Sequence, residues 1–288
     1  MTIHGEHGAG WSIYLCGYAE IADLLGSAGV RVDALIVDAP YSEKTHRGHG
    51  EGAAKANRVT DADAKRLRVD AGSGAVYAVG ENRRRSISYA AWGPDDVAAF
   101  VRTLAPVVSG WWASITDHGL VPVWSDALEG AGLYPFAPIP CVESGATVRM
   151  TGDGPPNWTT RIVAAGPESA EADTTSDVVV ARPKGPPWSR WAVRVDREKR
   201  AARPLPGYYL GKREIKPVVG GKPLWLMRDI VRDYSAPGAT ILDPCAGGGT
   251  TLLAAISLGR SALGCEPDPE TFEKAVARLR AAEKEIRT

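Results

Sequence analysis

The sequence contains no long uninterrupted apolar run. Its longest apolar stretches, residues 34–37 and 252–256, are far shorter than the roughly 18 residues that a membrane span needs. The first residues form neither the basic-then-apolar pattern of a secretory signal nor an arginine-rich transit peptide. We therefore expect no transmembrane helix, no membrane partner and a cytoplasmic location.

Cysteine is scarce as well. The four cysteines lie far apart, form no Cys-x-x-Cys pair and have no histidine beside them: Cys16, Cys141, Cys245 and Cys265. This spacing indicates neither a zinc site nor a disulfide framework. His46 and His49 resemble a metal-binding pair, but no third or fourth ligand is evident around them. We predict reduced thiols in or near the core and no metal site.

The chain also lacks a net charge, because 34 basic residues balance 34 acidic ones. The total argues against nucleic-acid binding, but the distribution does not. Residues 182–216 hold eleven Lys or Arg against three acids, interleaved with Trp188, Trp191, Tyr208 and Tyr209. Such a mixture suits a phosphate backbone, although a solvated, proline-rich surface excursion has the same composition.

Apolar strands alternate with helical stretches at both ends of the chain, which is the pattern of an α/β sheet covered on both faces. Strands are predicted at residues 11–16, 32–37, 110–115, 134–142, 158–164, 239–242 and 262–265. Helices are predicted at residues 20–25, 94–104, 121–128, 223–234, 250–258 and 269–284. A chain of 288 residues buries one large core, so we expect one domain with an insertion. The polar residues 42–91 are expected to form a long active-site loop.

A glycine-rich turn between a strand and a helix carries the first chemical signal. It places Asp243 at the end of a strand, Gly247 and Gly249 where a Cβ would block a cofactor, and Thr250 where it can cap the next helix. Glu266 ends the following strand, where an acid accepts hydrogen bonds from ribose hydroxyls in dinucleotide-type folds. A phosphate-binding P-loop would need Gly-Lys-Ser/Thr at this turn, and a purely structural turn would not need acids on both strands.

A second signal follows a buried strand: Asp38, Ala39, Pro40 and Tyr41 stand at the end where ligands bind in open α/β sheets. The exocyclic amine of an aromatic base is a poor nucleophile, because its lone pair is delocalised into the ring. The Asp38 carboxylate and the Ala39 carbonyl can each accept a hydrogen bond from such an amine, and Tyr41 offers a face for the base. A base inside a duplex must be flipped out to reach them. Standing alone, the stretch would also fit a strand-ending turn closed by Pro40.

Together these stretches resemble the amino-methyltransferases of DNA, in the arrangement where the catalytic motif precedes the cofactor motif. Residues 38–41 are similar to the family's Asp-Pro-Pro-Tyr motif, and residues 243–250 to its Asp-Pro-Phe-Ala-Gly-x-Gly-Thr loop. Residues 221–224, Gly-Lys-Pro-Leu, are similar to the Gln-Lys-Pro segment that lines the methionine side of the cofactor. The likeness is closest to phage-encoded members, through residues 151–155 leading into Trp158.

The resemblance implies a circularly permuted, Rossmann-like α/β methyltransferase fold with a small basic insertion. It implies S-adenosyl-L-methionine as cofactor, double-stranded DNA as partner, and methyl transfer to the N6 amine of adenine in a bacterial host cell. Residues 1–181 would form the catalytic half, 182–216 the basic target-recognition insert and 217–288 the cofactor-binding half. The catalytic residues would be Asp38, Ala39, Pro40 and Tyr41. The cofactor-binding residues would be Tyr18, Lys222, Pro223, Asp243, Cys245, Ala246, Gly247, Gly249, Thr250 and Glu266.

Three positions depart from the family pattern. Ala39 replaces the first proline of the catalytic motif, which keeps the carbonyl acceptor and loosens the backbone that aims it. Tyr18 stands where the family usually has a Gly-Asp acid, and its ring could stack on the adenine of the cofactor instead. Val-Val-Gly-Gly precedes Lys222 in place of His-Pro-Thr-Gln.

Several alternatives stay open. An acid at the first motif position resembles the adenine enzymes, since the cytosine-amine enzymes usually carry Ser there and RNA-directed ones Asn. Cytosine N4 methylation is one alternative, and a DNA-binding module without turnover is another. Asp117 and His118 could support the base or form an ordinary turn with a capping acid, whereas Trp111 and Trp112 are expected in the core. A homodimer and a restriction-enzyme partner are also open.

Overall fold

The structure is a computed structural model of the 288-residue chain. It describes residues 3–46, 67–69, 76–78, 89–144, 159–167, 193–196, 201–212, 214 and 221–286. The chain divides into two compact units, one formed by Met1–Ala39 and Gly93–Thr288 and the other by Pro40–Trp92.

Strands and helices alternate along much of the first unit. The strands of the described residues are β1 (Gly5–Gly8), β2 (Trp11–Tyr14), β3 (Val32–Asp38), β4 (Leu67–Val69), β5 (Val76–Ala78), β6 (Val108–Thr116), β7 (Leu133–Pro135), β8 (Ile139–Ser144), β9 (Thr159–Pro167), β10 (Val193–Asp196), β11 (Ala201–Pro204), β12 (Tyr209–Lys212), β13 (Thr240–Asp243) and β14 (Ser261–Cys265). The helices are α1 (Tyr18–Ser27), α2 (Pro94–Leu104), α3 (Val121–Gly130), α4 (Leu224–Tyr234), α5 (Thr250–Ser257) and α6 (Pro269–Ile286), with a 3-10 turn at Ala105–Val107. None of these helices combines the length and the apolar character that a membrane span requires.

One ten-stranded sheet runs through the first unit in the order β1-β2-β14-β13-β3-β6-β9-β8-β12, with β7 paired to β9. Strands β2, β14, β13, β3 and β6 are parallel neighbours, so their carboxyl ends share one edge of the sheet. Beyond β6 the sheet continues through the antiparallel strands β9 and β8, and β12 pairs in parallel with β8. The N-terminal strands β2 and β3 therefore flank the C-terminal strands β14 and β13.

Helices cover both faces of this sheet. The buried Trp111 ring lies 5.2 Å from that of Tyr234 in α4, and the buried Trp112 ring lies 6.0 Å from that of Phe100 in α2. Because adjacent side chains of a strand point to opposite faces, α4 and α2 lie on opposite sides. The prediction that both tryptophans belong to the core is confirmed. Residues 35–37 of β3 are fully buried, as expected for a parallel strand covered twice.

The helix predicted at 94–104 has the bounds Pro94–Leu104 in the structure. Pro94 suits a first helical turn, and the Asp96 carboxylate accepts a hydrogen bond from the Gly93 N–H at 2.8 Å. Apart from the strand predicted at 134–142, the other predicted elements are present, with ends shifted by a few residues. Cys16, Cys141 and Cys265 are buried, as predicted for core thiols, and Cys245 is partly buried.

One prediction about strands is wrong. The single strand predicted at 134–142 is divided into β7 and β8, because Pro138 between them has no N–H to donate and a fixed φ. Residues 209–212, predicted as part of the basic insert, form the sheet strand β12, and Tyr209 is only 3% exposed. Strand β1 was not predicted either.

Part of the basic segment 182–216 is described. Strands β10 and β11 form an antiparallel pair with Val193 opposite Pro204. Trp188, Trp191, Trp158 and residues 151–155 lie outside the described residues.

In the second unit, β4 and β5 form an antiparallel pair. The Trp92 N–H donates to the Tyr41 carbonyl at 3.0 Å, and the His46 ring stands edge-on to Tyr89 at 5.3 Å. The stretch predicted as a long loop at 42–91 thus contains a two-stranded sheet. His49 and much of the rest of that stretch lie outside the described residues.

Candidate active site

Three carboxylates lie at one edge of the sheet. Asp38 ends β3, Asp243 ends β13 and Glu266 follows β14, and these strands are neighbours in that order. The carboxyl edge of an open parallel sheet is where ligands bind in such folds. The structure therefore brings together the acids that both sequence motifs singled out.

Asp243 is buried beneath this edge, with 2% of its surface exposed. Its Oδ1 accepts a hydrogen bond from the Cys245 N–H at 3.1 Å, and the Thr251 side chain also bonds to the carboxylate. The pKa of Asp243 is raised to about 7, chiefly by burial, with further contributions from the charges of Asp38 and Glu266. The edge thus concentrates negative charge, which favours hydrogen-bond donors and cations as ligands.

The glycine turn after β13 is closed by its own backbone. The Gly249 N–H donates to the Ala246 carbonyl at 2.8 Å, and Gly247 and Gly249 have φ angles of +50° and +73°. These left-handed conformations favour glycine. Gly249, rather than Thr250, is the N-cap of α5 and provides no side-chain cap, so the prediction that Thr250 caps this helix is wrong. Thr250 is instead the first helical residue, and it is buried.

Glu266 holds this turn from the neighbouring strand. Its Oε2 accepts a hydrogen bond from the Gly247 N–H at 2.9 Å, and its Oε1 accepts one from the Asp268 N–H at 2.9 Å. Burial raises the pKa of Glu266. Each carboxylate oxygen has two lone pairs, so further capacity remains for hydroxyl donors of the kind the sequence predicts here.

Lys222 contacts both oxygens of Asp38. Its Nζ lies 2.7 Å from Oδ1 and 2.8 Å from Oδ2. The Lys222 side chain is only 6% exposed, whereas that of Asp38 is 22% exposed. The ammonium therefore reaches the carboxylate from the buried side. Lys222 was predicted to bind the cofactor, and it precedes Pro223, the N-cap of α4. No local sequence pattern indicates its contact with Asp38, which lies 184 positions away.

The remaining motif residues divide between the two units. Ala39 is buried in the first unit, and Pro40 and Tyr41 belong to the second. Tyr18 opens α1 just after the carboxyl end of β2, and its ring stands edge-on to Phe100 at 4.9 Å. Tyr18 is thus placed at the same edge as the carboxylates.

Asp117 forms a turn after β6. Its Oδ1 accepts hydrogen bonds from the Gly119 N–H at 2.9 Å and the Leu120 N–H at 3.1 Å. This is the ordinary turn with a capping acid that the sequence left as an alternative for Asp117 and His118.

Arg278 of α6 was not among the predicted site residues, and its guanidinium donates to the Gly248 carbonyl and to Thr250 Oγ1. Arg278 follows the buried Ala275 by one helical turn and precedes the buried Leu279, on the inward side of a helix rich in charge. An arginine on the apolar stripe of a helix is the signal that could have found it.

One segment of the chain matches a known protein family. Residues 191–277, which include Lys222, Asp243 and Glu266, match the N6/N4 methyltransferase family model, described as DNA methylase. Residues 191–277 are therefore similar to the DNA methylases of the N6/N4 family. No curated protein matches this chain.

Solved structures share the fold of this chain. M1.HpyAVI in complex with SAM matches with a TM-score of 0.59 and 20% identity, over 93% of this chain and 98% of that one. TTHA0409 from Thermus thermophilus, complexed with S-adenosyl-L-methionine, matches with a TM-score of 0.54 and 16% identity, over 94% and 93%. The cytosine-N4-specific PvuII DNA methyltransferase matches with a TM-score of 0.54 and 10% identity, over 96% and 93%. The predicted methyltransferase fold is confirmed.

Proposed function

We propose that this DNA methylase transfers the methyl group of S-adenosyl-L-methionine to the N6 amine of an adenine flipped out of duplex DNA. The observation that carries the proposal is the setting of Asp38. Its carboxylate is held at both oxygens by a buried ammonium, is still partly exposed, and shares one sheet edge with Asp243 and Glu266. An aromatic amine needs such a fixed acceptor before its lone pair can react.

The carboxyl edge suits an adenosyl cofactor. Asp243 and Glu266 follow adjacent strands, and between them lies a turn whose left-handed Gly247 and Gly249 would be strained by any larger residue. Burial raises the pKa of Asp243 most, and the neighbouring charges of Asp38 and Glu266, which raise it further, favour a cationic sulfonium compound. We assign cofactor binding to the turn and its surroundings: Tyr18, Pro223, Asp243, Cys245, Ala246, Gly247, Gly249, Thr250 and Glu266. When bound, S-adenosyl-L-methionine supplies an electrophilic methyl group.

Asp38 and Ala39 act on the target amine. Lys222 fixes the plane of the Asp38 carboxylate, whose oxygens keep the capacity to accept one N–H of the amine. The Ala39 carbonyl accepts the other N–H, and together they draw the nitrogen out of conjugation with the ring. Asp38 then accepts the proton that the methylated amine releases. Lys222 thus contributes through Asp38.

Adenine is the proposed target, because the acid at position 38 resembles the first motif residue of the adenine enzymes. The likeness to the cytosine-N4-specific PvuII enzyme makes N4-methylcytosine the rival product. Pro40 and Tyr41 complete the proposed catalytic motif, and we assign the face that receives the base to Tyr41.

The test is transfer of labelled methyl from S-adenosyl-L-methionine to unmethylated duplex DNA, followed by nucleoside analysis. The wild type should yield N6-methyl-2′-deoxyadenosine, Asp38→Ala should yield none, and Asp126→Asn, on the exposed surface of α3, should match the wild type. N4-methyl-2′-deoxycytidine would redirect the proposal to cytosine. No transfer to varied DNA with cofactor binding intact would overturn it.

A further inference from the structure

Arg278 contacts the glycine turn from the side of α6. Its Nη1 donates to the Gly248 carbonyl and lies 3.3 Å from Thr250 Oγ1. The side chain is partly buried, and burial lowers the pKa of Arg278. A guanidinium stays charged even so, and hydrogen bonds from a charged donor are about twice as strong as neutral ones.

The helix approaches the turn closely. A Cβ added to Gly249 would lie 3.3 Å from the Ala275 Cβ, which is closer than ordinary contact. Ala275 and Arg278 are one helical turn apart, so both face the glycine turn. Because Gly249 and Ala275 are both small, the turn and α6 lie close together, and the Arg278 side chain spans the short distance between them.

The turn needs outside support because residues 247–249 are three consecutive glycines. Glycine loses more conformational freedom on ordering than any other residue. Hydrogen bonds hold two peptide groups of the turn: the Gly247 N–H donates to Glu266, the Gly249 N–H donates to the Ala246 carbonyl, and the Gly248 carbonyl accepts from Arg278. Rotation of the peptide between Gly248 and Gly249 would break two of these bonds at once.

We propose that Arg278 is a positioning residue for the adenosyl cofactor. It holds the Gly248–Gly249 peptide in the orientation that binds the cofactor. This inference rests on the proposed function, because the turn is the assigned cofactor site. Arg278 acts through the backbone of the turn, and the turn is ordered before the cofactor arrives. Preordering of this kind raises the affinity for the cofactor, because binding no longer has to order the turn.

The experiment measures binding of S-adenosyl-L-homocysteine by calorimetry for the wild type, Arg278→Met, Arg278→Lys and Arg280→Met. Arg280 lies on the same helix but bonds to Glu6 at the surface, so it is the matched control. Loss of one charged hydrogen bond should weaken binding about tenfold in Arg278→Met. Arg278→Lys, which keeps one charged donor, should fall between, and Arg280→Met should equal the wild type.

Two further readouts separate positioning from general stability. Amide hydrogen exchange of residues 246–250 in the cofactor-free protein should be faster in Arg278→Met than in Arg280→Met. With saturating cofactor, kcat should stay within about twofold of the wild type while KM for the cofactor rises. If Arg278→Met does not fold, the same comparison is made with Arg278→Lys.

The outcomes are distinguishable. Wild-type binding with equal affinity in Arg278→Met and Arg278→Lys would overturn the inference and leave the proposed function standing. Equal losses in the Arg278 and Arg280 variants would overturn it too, because the effect would then be general. Absence of binding by the wild type would overturn the proposed function and the inference with it.

Discussion

The ammonium of Lys222 lies 2.7 Å and 2.8 Å from the two carboxylate oxygens of Asp38. The sequence motifs separate these residues, since Asp38 belongs to the catalytic motif and Lys222 to the segment assigned to the cofactor. Their contact joins the two motifs into one arrangement. The role of Lys222 can therefore be tested by measuring whether its removal changes the rate of methyl transfer or the affinity for the cofactor.

Lys222→Met is expected to slow methyl transfer while leaving cofactor affinity nearly unchanged. Loss of a hydrogen bond from a charged donor costs about 1.5–3 kcal/mol, which corresponds to a rate roughly 10- to 100-fold lower. Single-turnover methyl transfer gives the rate, and calorimetry with S-adenosyl-L-homocysteine gives the affinity. Lys274→Met, at an exposed ion pair of α6, is the control. A large loss of affinity with an unchanged rate would assign Lys222 to the cofactor instead.

The free energy of unfolding should depend on pH because of Asp243. The pKa of this residue is raised from 3.8 to about 7 in the folded protein, so the native state keeps a proton that the unfolded chain releases between these values. The native state therefore binds more protons in this window, and the contribution of Asp243 to stability decreases as pH rises through it, by on the order of a few kcal/mol. Below about pH 4 and above about pH 7 this contribution is constant.

Urea unfolding of the wild type and Asp243→Asn at about pH 5 and about pH 8 measures this effect. The amide cannot ionise, so Asp243→Asn should become more stable relative to the wild type at the higher pH. The raised pKa of Glu266 acts in the same direction, which leaves some pH dependence in the variant. Asp126→Asn is the control at an exposed position. A stability difference between Asp243→Asn and the wild type that does not change with pH would contradict the prediction.

Gly249→Ala should destabilise the protein more than Gly259→Ala. Both glycines are left-handed, with φ of +73° and +71°, and this conformation costs an L-residue about 1–2 kcal/mol. A Cβ at Gly249 would also press on Ala275 at 3.3 Å, whereas one at Gly259 would meet nothing within 4 Å. Urea unfolding of both variants isolates the contact, which we expect to add roughly 1 kcal/mol or more. Equal destabilisation of the two variants would contradict the prediction, because it would show that α6 shifts to accommodate the added methyl group.

Glu266→Gln should weaken binding of S-adenosyl-L-homocysteine by tenfold or more, on the order expected when a charged acceptor becomes neutral. The carboxylate holds both the Gly247 N–H and the Asp268 N–H, and an amide has only one acceptor oxygen for the two. Calorimetry measures the affinity, with Glu273→Gln on the exposed side of α6 as the control. Unchanged affinity in Glu266→Gln would remove this residue from the cofactor site.

Local sequence patterns predicted an element correctly where its own residues mark its start and end. The bounds of Pro94–Leu104 follow from a proline and two acids in the first turn, and the run from β13 to α6 follows from apolar periodicity punctuated by glycine. The predicted acids Asp38, Asp243 and Glu266 meet because the carboxyl ends of neighbouring parallel strands share an edge. That meeting is a consequence of topology, which the motif order already suggested.

Other features depend on partners distant in sequence. Strand β12 has four residues between proline-rich and basic stretches, and it becomes a strand by pairing with β8, where Tyr209 lies opposite Cys141. Its residue Tyr209 is also held by a hydrogen bond to the buried Asp233, at 3.0 Å. The contact between Lys222 and Asp38 is also of this kind, because the sequence around either residue does not indicate the other.

The interleaving of the sheet has a consequence for synthesis of the chain. Strands β2 and β3 emerge first but are not neighbours, because β14 and β13 lie between them. Until residues 240–265 have left the ribosome, both early strands present unpaired backbone edges toward the gap that the late strands will fill. Closure of that gap also delivers Asp243 and Glu266 to Asp38. Continuity of the sheet and assembly of the carboxylate edge are thus one late event, and a nascent chain that stops short of β14 has neither.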